Sequence, residues 1–433
     1  MEQVSKKFNF KLEKKVNLTN QSTDILYKYF VFLFFYIILE GALRKWLLPK
    51  LNIEIILFRD LFIIYVILIS FKNKIFNSTS NIENVLLLWT VLVVIWSIIQ
   101  LIINDLNLTN ILAGLRFWVL YFWLSIVIFR TIENKPNLEK LIKIINFSIL
   151  PMSILIIIQH YSSVDSFVNK QIGENNYIYQ VVPGIVRTSG TFSFTYGFAQ
   201  YIAFLTPLIL YQISDKDINK LYKLILGLSL LICVIFSGSR AVFLQFFFII
   251  IIYLFFLPKI KTNIINIFIL FIFSLTIIYI FSSPIEAIFN RFNTASDKNL
   301  IFQRIVQTIF GEKQTWENFS IFGKGIALTS NFSNFSINKI FYLGENESDR
   351  IILGGGILGI IFLLSKYFFV IYLLFKNILV KKKNTLKLLF SLYFIIQILT
   401  QNITSQVTSH AFTFYALGIL IAIINENNFN RKL

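Results

Sequence analysis

Apolar runs long enough to cross a bilayer recur along almost the whole chain, and nothing else in the sequence restricts the fold as strongly. A hydrocarbon core about 30 Å thick needs roughly 17 to 25 apolar residues per helix. Within it every backbone amide must be paired inside the same segment, so the runs read as helices. About twelve spans are expected, near 29–48, 53–70, 84–103, 111–129, 141–160, 196–212, 219–236, 241–257, 264–282, 351–375, 388–402 and 409–425. The first is amphipathic, and the last two are short. The fold class is therefore all-α, a polytopic integral membrane protein. Charged residues make up 14% of the 433 positions, against about 25% in soluble domains.

The net charge of +18 does not indicate nucleic acid. The lysines fall in short loops between apolar runs and form no continuous basic face. Cys233 stands alone in an apolar run, so no disulfide framework exists. His160 and His410 are too few for a His-rich metal site. Each sits at the end of a span near the outer surface, where an amphipathic anchor outweighs a base. The basic N-terminus is not followed by a short apolar core and cleavage site, so no cleavable signal is read there.

The lysine-rich loops set the orientation, because inside loops collect cations. Residues 1–28 form a cytoplasmic tail and 29–282 carry spans one to nine, with an outer loop at 161–195. Residues 283–350 form a large extracytoplasmic loop, expected to be a small helical cap. Residues 351–425 carry the last three spans, and 426–433 a second cytoplasmic tail. Both termini lie inside. Against this bias Arg44, Arg59, Arg116, Arg187, Arg240, Arg291, Arg304 and Arg350 fall on or near the outer side. Arginines kept there point to an anionic ligand.

Four patterns carry the chemistry. Glu40-Gly-Ala-Leu-Arg44-Lys45-Trp46 places Glu40 and Arg44 one turn apart, as an intrahelical ion pair with Trp46 at the interface. Arg59 and Asp60 are adjacent, point different ways, and each needs another partner in the bundle. Arg187-Thr-Ser-Gly190 sets an arginine beside small residues able to offer backbone amides to a phosphate, or is an ordinary turn. Ser237-Gly-Ser239-Arg240 puts a cation at a helix N-terminus, where it opposes the helix dipole and a bound anion would relieve it. Last, Glu345-Asn-Glu347-Ser-Asp349-Arg350 leads into Gly354–Gly359. In an extended strand the three acids would share one side. One could serve as general base toward a sugar hydroxyl, or two could hold a divalent metal. Paired with Arg350 they could equally form an acidic cap. The glycines indicate close helix packing.

The order of the motifs EGALRKW, FRD, GLRFW at 114–118, RTSGTF at 187–192, SGSRA at 237–241, GKGI at 323–326 and ILGGGILG resembles the O-antigen ligase and polymerase superfamily of bacterial envelope glycan enzymes. The resemblance implies a fold similar to C-type membrane glycosyltransferases. It implies transfer of a glycan from undecaprenyl diphosphate to an acceptor hydroxyl outside the cytoplasmic membrane. Arg187 and Arg240 match the family's arginines that hold the diphosphate, and Arg350 is expected to assist them. Glu40, Arg44, Arg116 and Ser239 support them, and Glu345 or Glu347 acts as base. Ligases of the family carry a His-Asn pair before the late glycines; counted back from Gly356, that register holds Glu345 and Asn346. The acid there favours a polymerase over a ligase. No metal or cofactor is required, although Glu345, Glu347 and Asp349 keep a divalent ion open. The partners implied are a carrier-linked glycan, a flippase and a chain-length regulator. A transporter of lipid-linked oligosaccharide is the rival class.

Overall fold

A computed structural model of the chain describes residues 23–76, 81–104, 106–133, 135–172, 180–182, 185–256, 306–329, 346–378, 384–404 and 406–429. The expected span at 264–282, Arg291, Arg304, Glu345 and both tails lie outside them.

The described chain is a helical bundle. In order it has α1 (Thr23–Leu47), α2 (Asn52–Lys72), α3 (Asn81–Asn104), α4 (Leu108–Ile132), α5 (Pro136–Tyr161), α6 (Thr195–Ser214), α7 (Lys220–Phe236) and α8 (Arg240–Phe256). There follow α9 (Glu347–Gly355), α10 (Ile357–Ile378), α11 (Thr385–Thr400) and α12 (Val407–Phe429). The only sheet among the described residues is a short antiparallel pair, Gln180–Val182 with Ile185–Val186. Among the described residues, six helices are long and apolar enough to cross a membrane: α1, α3, α4, α5, α10 and α12. This is an all-α membrane protein. The bundle core joins α1, α4, α5, α6, α7, α11 and α12 around Phe34, Tyr121, Phe204, Tyr393 and Tyr415, whereas α3 and α10 leave long apolar faces uncovered, including Val85, Leu88, Ile361 and Phe368.

The late glycines do more than pack helices, and here the sequence reading needs correction. Residues 351–375 are not one span. The chain folds back at Gly356 (φ +59°), and α9 and α10 form a hairpin. A second segment clasps its vertex: Lys324 N donates to Leu353 O (2.7 Å), Gly325 N to Gly354 O (3.1 Å) and Ile357 N to Ile321 O (2.9 Å). A Cβ on Gly356 would lie 2.2 Å from Ile321 O. The end of α3 holds the same clasp through Trp96 Nε1 on Gly355 O and Gln100 Nε2 on Gly354 O, both 2.9 Å. The GKGI and ILGGGILG motifs are thus two sides of one joint.

Of the two last spans expected to be short, only α11 (16 residues) is so; α12 runs for 23. Lys366 lies ten residues past Gly356, about 15 Å along the helix, near the middle of the candidate span Ile357–Ile378. It pairs with Glu347, whose other oxygen accepts from Thr404 N (2.7 Å). The α11–α12 connection is therefore drawn down to mid-bundle. The segment after residue 305 is drawn down with it: Tyr367 Oη donates to Ile309 O and Ser348 Oγ to Thr308 O, both 2.5 Å. Thr308 and Ile309 thus lie beside the hairpin, and most of the cap expected over 283–350 falls outside the described residues.

Candidate functional site

The ends of α1 and α2 and the first half of α4 carry a chain of buried charges. Arg59 Nη1 meets Glu40 Oε2 at 2.6 Å, and Arg116 Nε meets Asp60 Oδ2 at 2.7 Å. Arg59 Nε lies 3.8 Å from Asp60, and Arg44 Nη1 3.6 Å from Glu40. Tyr121 Oη donates to Asp60 Oδ1 (2.8 Å). Arg59 is fully buried. The separate partners expected for Arg59 and Asp60 are thus Glu40 and Arg116. Glu40, read as the partner of Arg44 alone, is held more closely by Arg59. Three guanidiniums and two carboxylates leave a positive excess, and such an excess in low dielectric favours an anion nearby.

Glu40, Arg59, Asp60 and Arg116 lie seven or eight residues inside their helices, roughly 10 Å from the ends, and Arg44 lies three residues from the end of α1. The sequence reading placed these cations at the rim; the helix positions place Arg59 and Arg116 well within. Both cationic turns are π-helical, Leu43–Leu47 with Arg44 and Lys45, and Arg116–Leu120. Such turns are rare and collect at functional sites. No hydrophobic period announces them.

The same cluster holds the RTSGTF segment. Arg44 Nη1 donates to Ser193 Oγ (3.1 Å). Lys45 Nζ donates to Gly190 O (2.8 Å) and Ser189 Oγ (3.1 Å). Gln159 grips Gly190 from the other side, accepting from its N at 2.8 Å and donating to its O at 3.0 Å. Thr191 Oγ1 reaches Ile38 O at 2.6 Å. This is a buried structural loop, not a surface turn. Gly41 makes the approach possible, since a Cβ there would sit 2.3 Å from Ser193 N and 2.4 Å from Thr191 O. Both are backbone atoms that cannot swing aside. Gly41→Ala is expected to cost about 1–3 kcal/mol, in the range of overpacking, and to loosen the 188–193 segment. Faster hydrogen exchange at Gly190 and Thr191 checks it.

Arg187 and Arg240 belong to neighbouring turns. Thr188 Oγ1 donates to Phe236 O at 2.7 Å, which ties the residue after Arg187 to the last residue of α7, four positions before Arg240. Both side chains are half-buried. Arg240 opens α8 as expected. Ser239 is buried, its carbonyl accepts from Phe243 N (3.1 Å), and its own N–H is satisfied by Ser237 Oγ at 3.2 Å.

The acidic run behaves differently from the extended strand expected of it. Residues 347–355 are helical and Asn346 caps them in a capping box with Asp349. Glu347 and Asp349 therefore point different ways. Asp349 is wholly engaged: Oδ1 accepts from Glu312 N (2.7 Å) and Thr315 Oγ1 (2.6 Å), and Oδ2 from Asn346 N (3.3 Å). Glu347 is buried between Lys366 and Thr404 N, and its own N donates to Asn402 Oδ1 (3.2 Å). No group of three His, Cys, Asp or Glu close enough to hold a metal occurs among the described residues.

A polar seam joins the two halves. Tyr196, at the start of α6, donates to Asn402 O (3.4 Å), and Gln200 Nε2 to Gln401 Oε1 (3.2 Å). The seam runs from the Glu40 cluster along 188–196 to Asn402, Thr404 and Glu347. His410 is fully buried, not interfacial, with its ring against Phe117, Tyr121 and Phe414 at 4.5–4.9 Å. His160 lies beside Phe236 at 4.7 Å. Sequence reasoning passed over Lys45, Tyr196 and Thr404. Lys366, a charge inside the apolar run 351–375, was a signal that sequence could have used.

Fold and site together define a polytopic helical membrane protein with a charged polar seam buried in its bundle. No protein-family model, no curated protein and no solved structure matches the chain.

Proposed function

We propose that the chain is a polymerase of cell-surface polysaccharide in a bacterial cytoplasmic membrane, with both termini cytoplasmic and the site facing outward. In this reading it moves a glycan from undecaprenyl diphosphate to a hydroxyl of a carrier-linked acceptor. The observation that carries it is the Thr188–Phe236 hydrogen bond, which sets the two arginine turns side by side at the head of α8. Arg187 and Arg240 would hold the diphosphate there, and Arg350 would assist. Bidentate guanidinium contacts and a helix N-terminus both suit phosphate oxygens.

The reaction is one displacement at the anomeric carbon. The bond from that carbon to the acceptor oxygen forms as its bond to the diphosphate oxygen breaks. The acceptor proton passes to a carboxylate, carrier diphosphate leaves, and the anomeric configuration inverts. Both oxygens of Glu347 are already engaged, so Glu347 anchors the α11–α12 connection and the base role falls to Glu345. The displacement requires no metal, because guanidinium groups can take the charge that develops on the diphosphate. The Glu40, Arg44 and Arg116 cluster positions the 188–193 segment and adds positive potential.

A second reading, a transporter of lipid-linked oligosaccharide, draws support from Arg59, Arg116 and Lys366 within their helices and from the broken α9–α10 hairpin. A ligase that hands the glycan to a lipid acceptor is the third. Deleting the gene separates them. Loss of a polymerase leaves single repeat units on the carrier. Loss of a ligase leaves full-length polymer on the carrier. Loss of a transporter leaves units shielded from a glycosidase added outside, and that result would overturn the proposal.

A further inference from the structure

Arg44 differs from the other arginines of the buried cluster. Its guanidinium is fixed on two sides. Nε donates to Asn52 Oδ1 at the start of α2, and Nη1 donates to Ser193 Oγ at 3.1 Å with Glu40 3.6 Å away. Nη2 has no hydrogen-bond partner among the described residues, and it is not enclosed. Arg59 is fully buried, and all three guanidinium nitrogens of Arg116 are shut away from the surface. Arg44 keeps 10% of its side chain exposed. It therefore holds one donor nitrogen in a set position with both protons free to bond.

The charges around it are short of anions. Arg44, Arg59 and Arg116 share Glu40 and Asp60. Lys45 Nζ bonds Ser189 Oγ and Gly190 O, neither of them charged. Four cations thus face two carboxylates. The C-terminal end of α1 favours cations, but it carries only about half a negative charge and cannot balance an excess of two. Water at Nη2 would solvate the excess without removing it, whereas an anion would neutralise it at short range.

The surroundings select the kind of anion. Arg44 lies three residues from the end of a helix long and apolar enough to cross a membrane. Trp46, of a residue type common at membrane boundaries, is two positions on. The chain then turns into α2 with Leu47, Leu48, Leu51 and Ile53 all exposed. A small free anion gains nothing from those side chains. A phosphate with a hydrocarbon chain attached meets Arg44 and the leucines together.

We infer that Arg44 Nη2 and the turn at residues 47–53 bind a membrane lipid by its phosphate, through a charge-assisted hydrogen bond, with the start of its chain along the leucines. A phospholipid and a polyprenyl diphosphate both present that chemistry. The site gives Arg44 a ligand contact besides its hold on Ser193, and it does not rest on glycan transfer.

The test uses the full chain in dodecyl maltoside micelles, which carry no phosphate, and a phosphatidylglycerol with a diazirine near the head of one acyl chain. Cross-linking is expected in peptides covering residues 47–53. Arg44→Gln should weaken labelling about tenfold, the scale of losing a hydrogen bond to a charged group. Leu47→Glu places a carboxylate one turn from Arg44 at an exposed position. It leaves the contacts of Arg44 in place, should keep the thermal midpoint, and should suppress labelling as strongly, so it decides the matter even where Arg44→Gln fails to fold. Competition identifies the occupant. Displacement by farnesyl diphosphate at lower concentration than by unlabelled phosphatidylglycerol marks a polyprenyl carrier, the reverse marks a phospholipid, and either supports the site. Equal labelling by a diazirine-bearing diacylglycerol, displacement by inorganic phosphate as effective as by either lipid, or labelling untouched by Leu47→Glu would overturn the inference. Lipid contact is read directly, so these results stand whatever Arg240→Ala does to glycan transfer.

Discussion

Asp60→Asn is expected to lower the stability of the folded bundle by about 3–5 kcal/mol, the range found when one partner of a buried ion pair is removed. The substitution is nearly isosteric. It keeps an oxygen for Tyr121 Oη, which donates to Asp60 Oδ1 at 2.8 Å. It removes the charge that faces Arg116 at 2.7 Å and Arg59 at 3.8 Å. Three guanidiniums, Arg44, Arg59 and Arg116, would then share the bundle with Glu40 as the sole carboxylate of the cluster. Thermal unfolding of the purified protein in detergent reads the effect. The double variant Asp60→Asn/Arg116→Gln should recover part of the loss, because the stranded cation goes with the anion that held it. A midpoint unchanged by Asp60→Asn would mean that the cluster is hydrated and its charges are not coupled.

Arg240→Ala is expected to reduce glycan transfer by about 10²–10³-fold, the scale of losing one preorganised group that stabilises developing negative charge. Its effect on stability should be small and opposite in sign. A cation at a helix N-terminus opposes the dipole, so its removal stabilises α8 by about 0.3–1 kcal/mol. Reduced turnover in a protein at least as stable distinguishes a ligand-binding arginine from a structural one. Arg240→Lys keeps the charge and loses the planar fork, and should fall between alanine and the parent. Arg187→Ala should match Arg240→Ala. The double variant should lose less than the product of the two, since both side chains would grip one diphosphate. The readout is the length of carrier-linked glycan at equal protein level. Full-length chains in Arg187→Ala and Arg240→Ala would remove the basis of the proposed site.

Much of the architecture was legible beforehand because bilayer physics is strict. A helix is the one open-ended element that satisfies its own backbone in hydrocarbon, so apolar runs near 84–103, 111–129 and 141–160 could be read directly. Adjacent Arg59 and Asp60 were legible as two separate partnerships, because neighbouring residues on a helix diverge. The identity of the partners was not, since Glu40 and Arg116 are 19 and 56 positions away. The hairpin at Gly356 was hidden for a different reason. Gly354–Gly359 is embedded in isoleucine and leucine, and composition alone cannot tell a reversal from a close helix contact. Lys45 stood in the Glu40–Trp46 motif without a role until the π-helical turn carried it against Gly190 O.

Composition and periodicity determined that this chain enters a membrane as helices, and they marked which motifs stand at the ends of which spans. These are local properties, decided by the transfer free energy of a run of side chains and by backbone pairing within one segment. Only the tertiary structure decided that Gly41 lies against the RTSGTF backbone, that Glu347 meets Lys366 at mid-bundle, and that Arg44 is held by Ser193. Each of those depends on contacts between segments distant in sequence, selected by packing and by charge neutralisation in a low-dielectric interior.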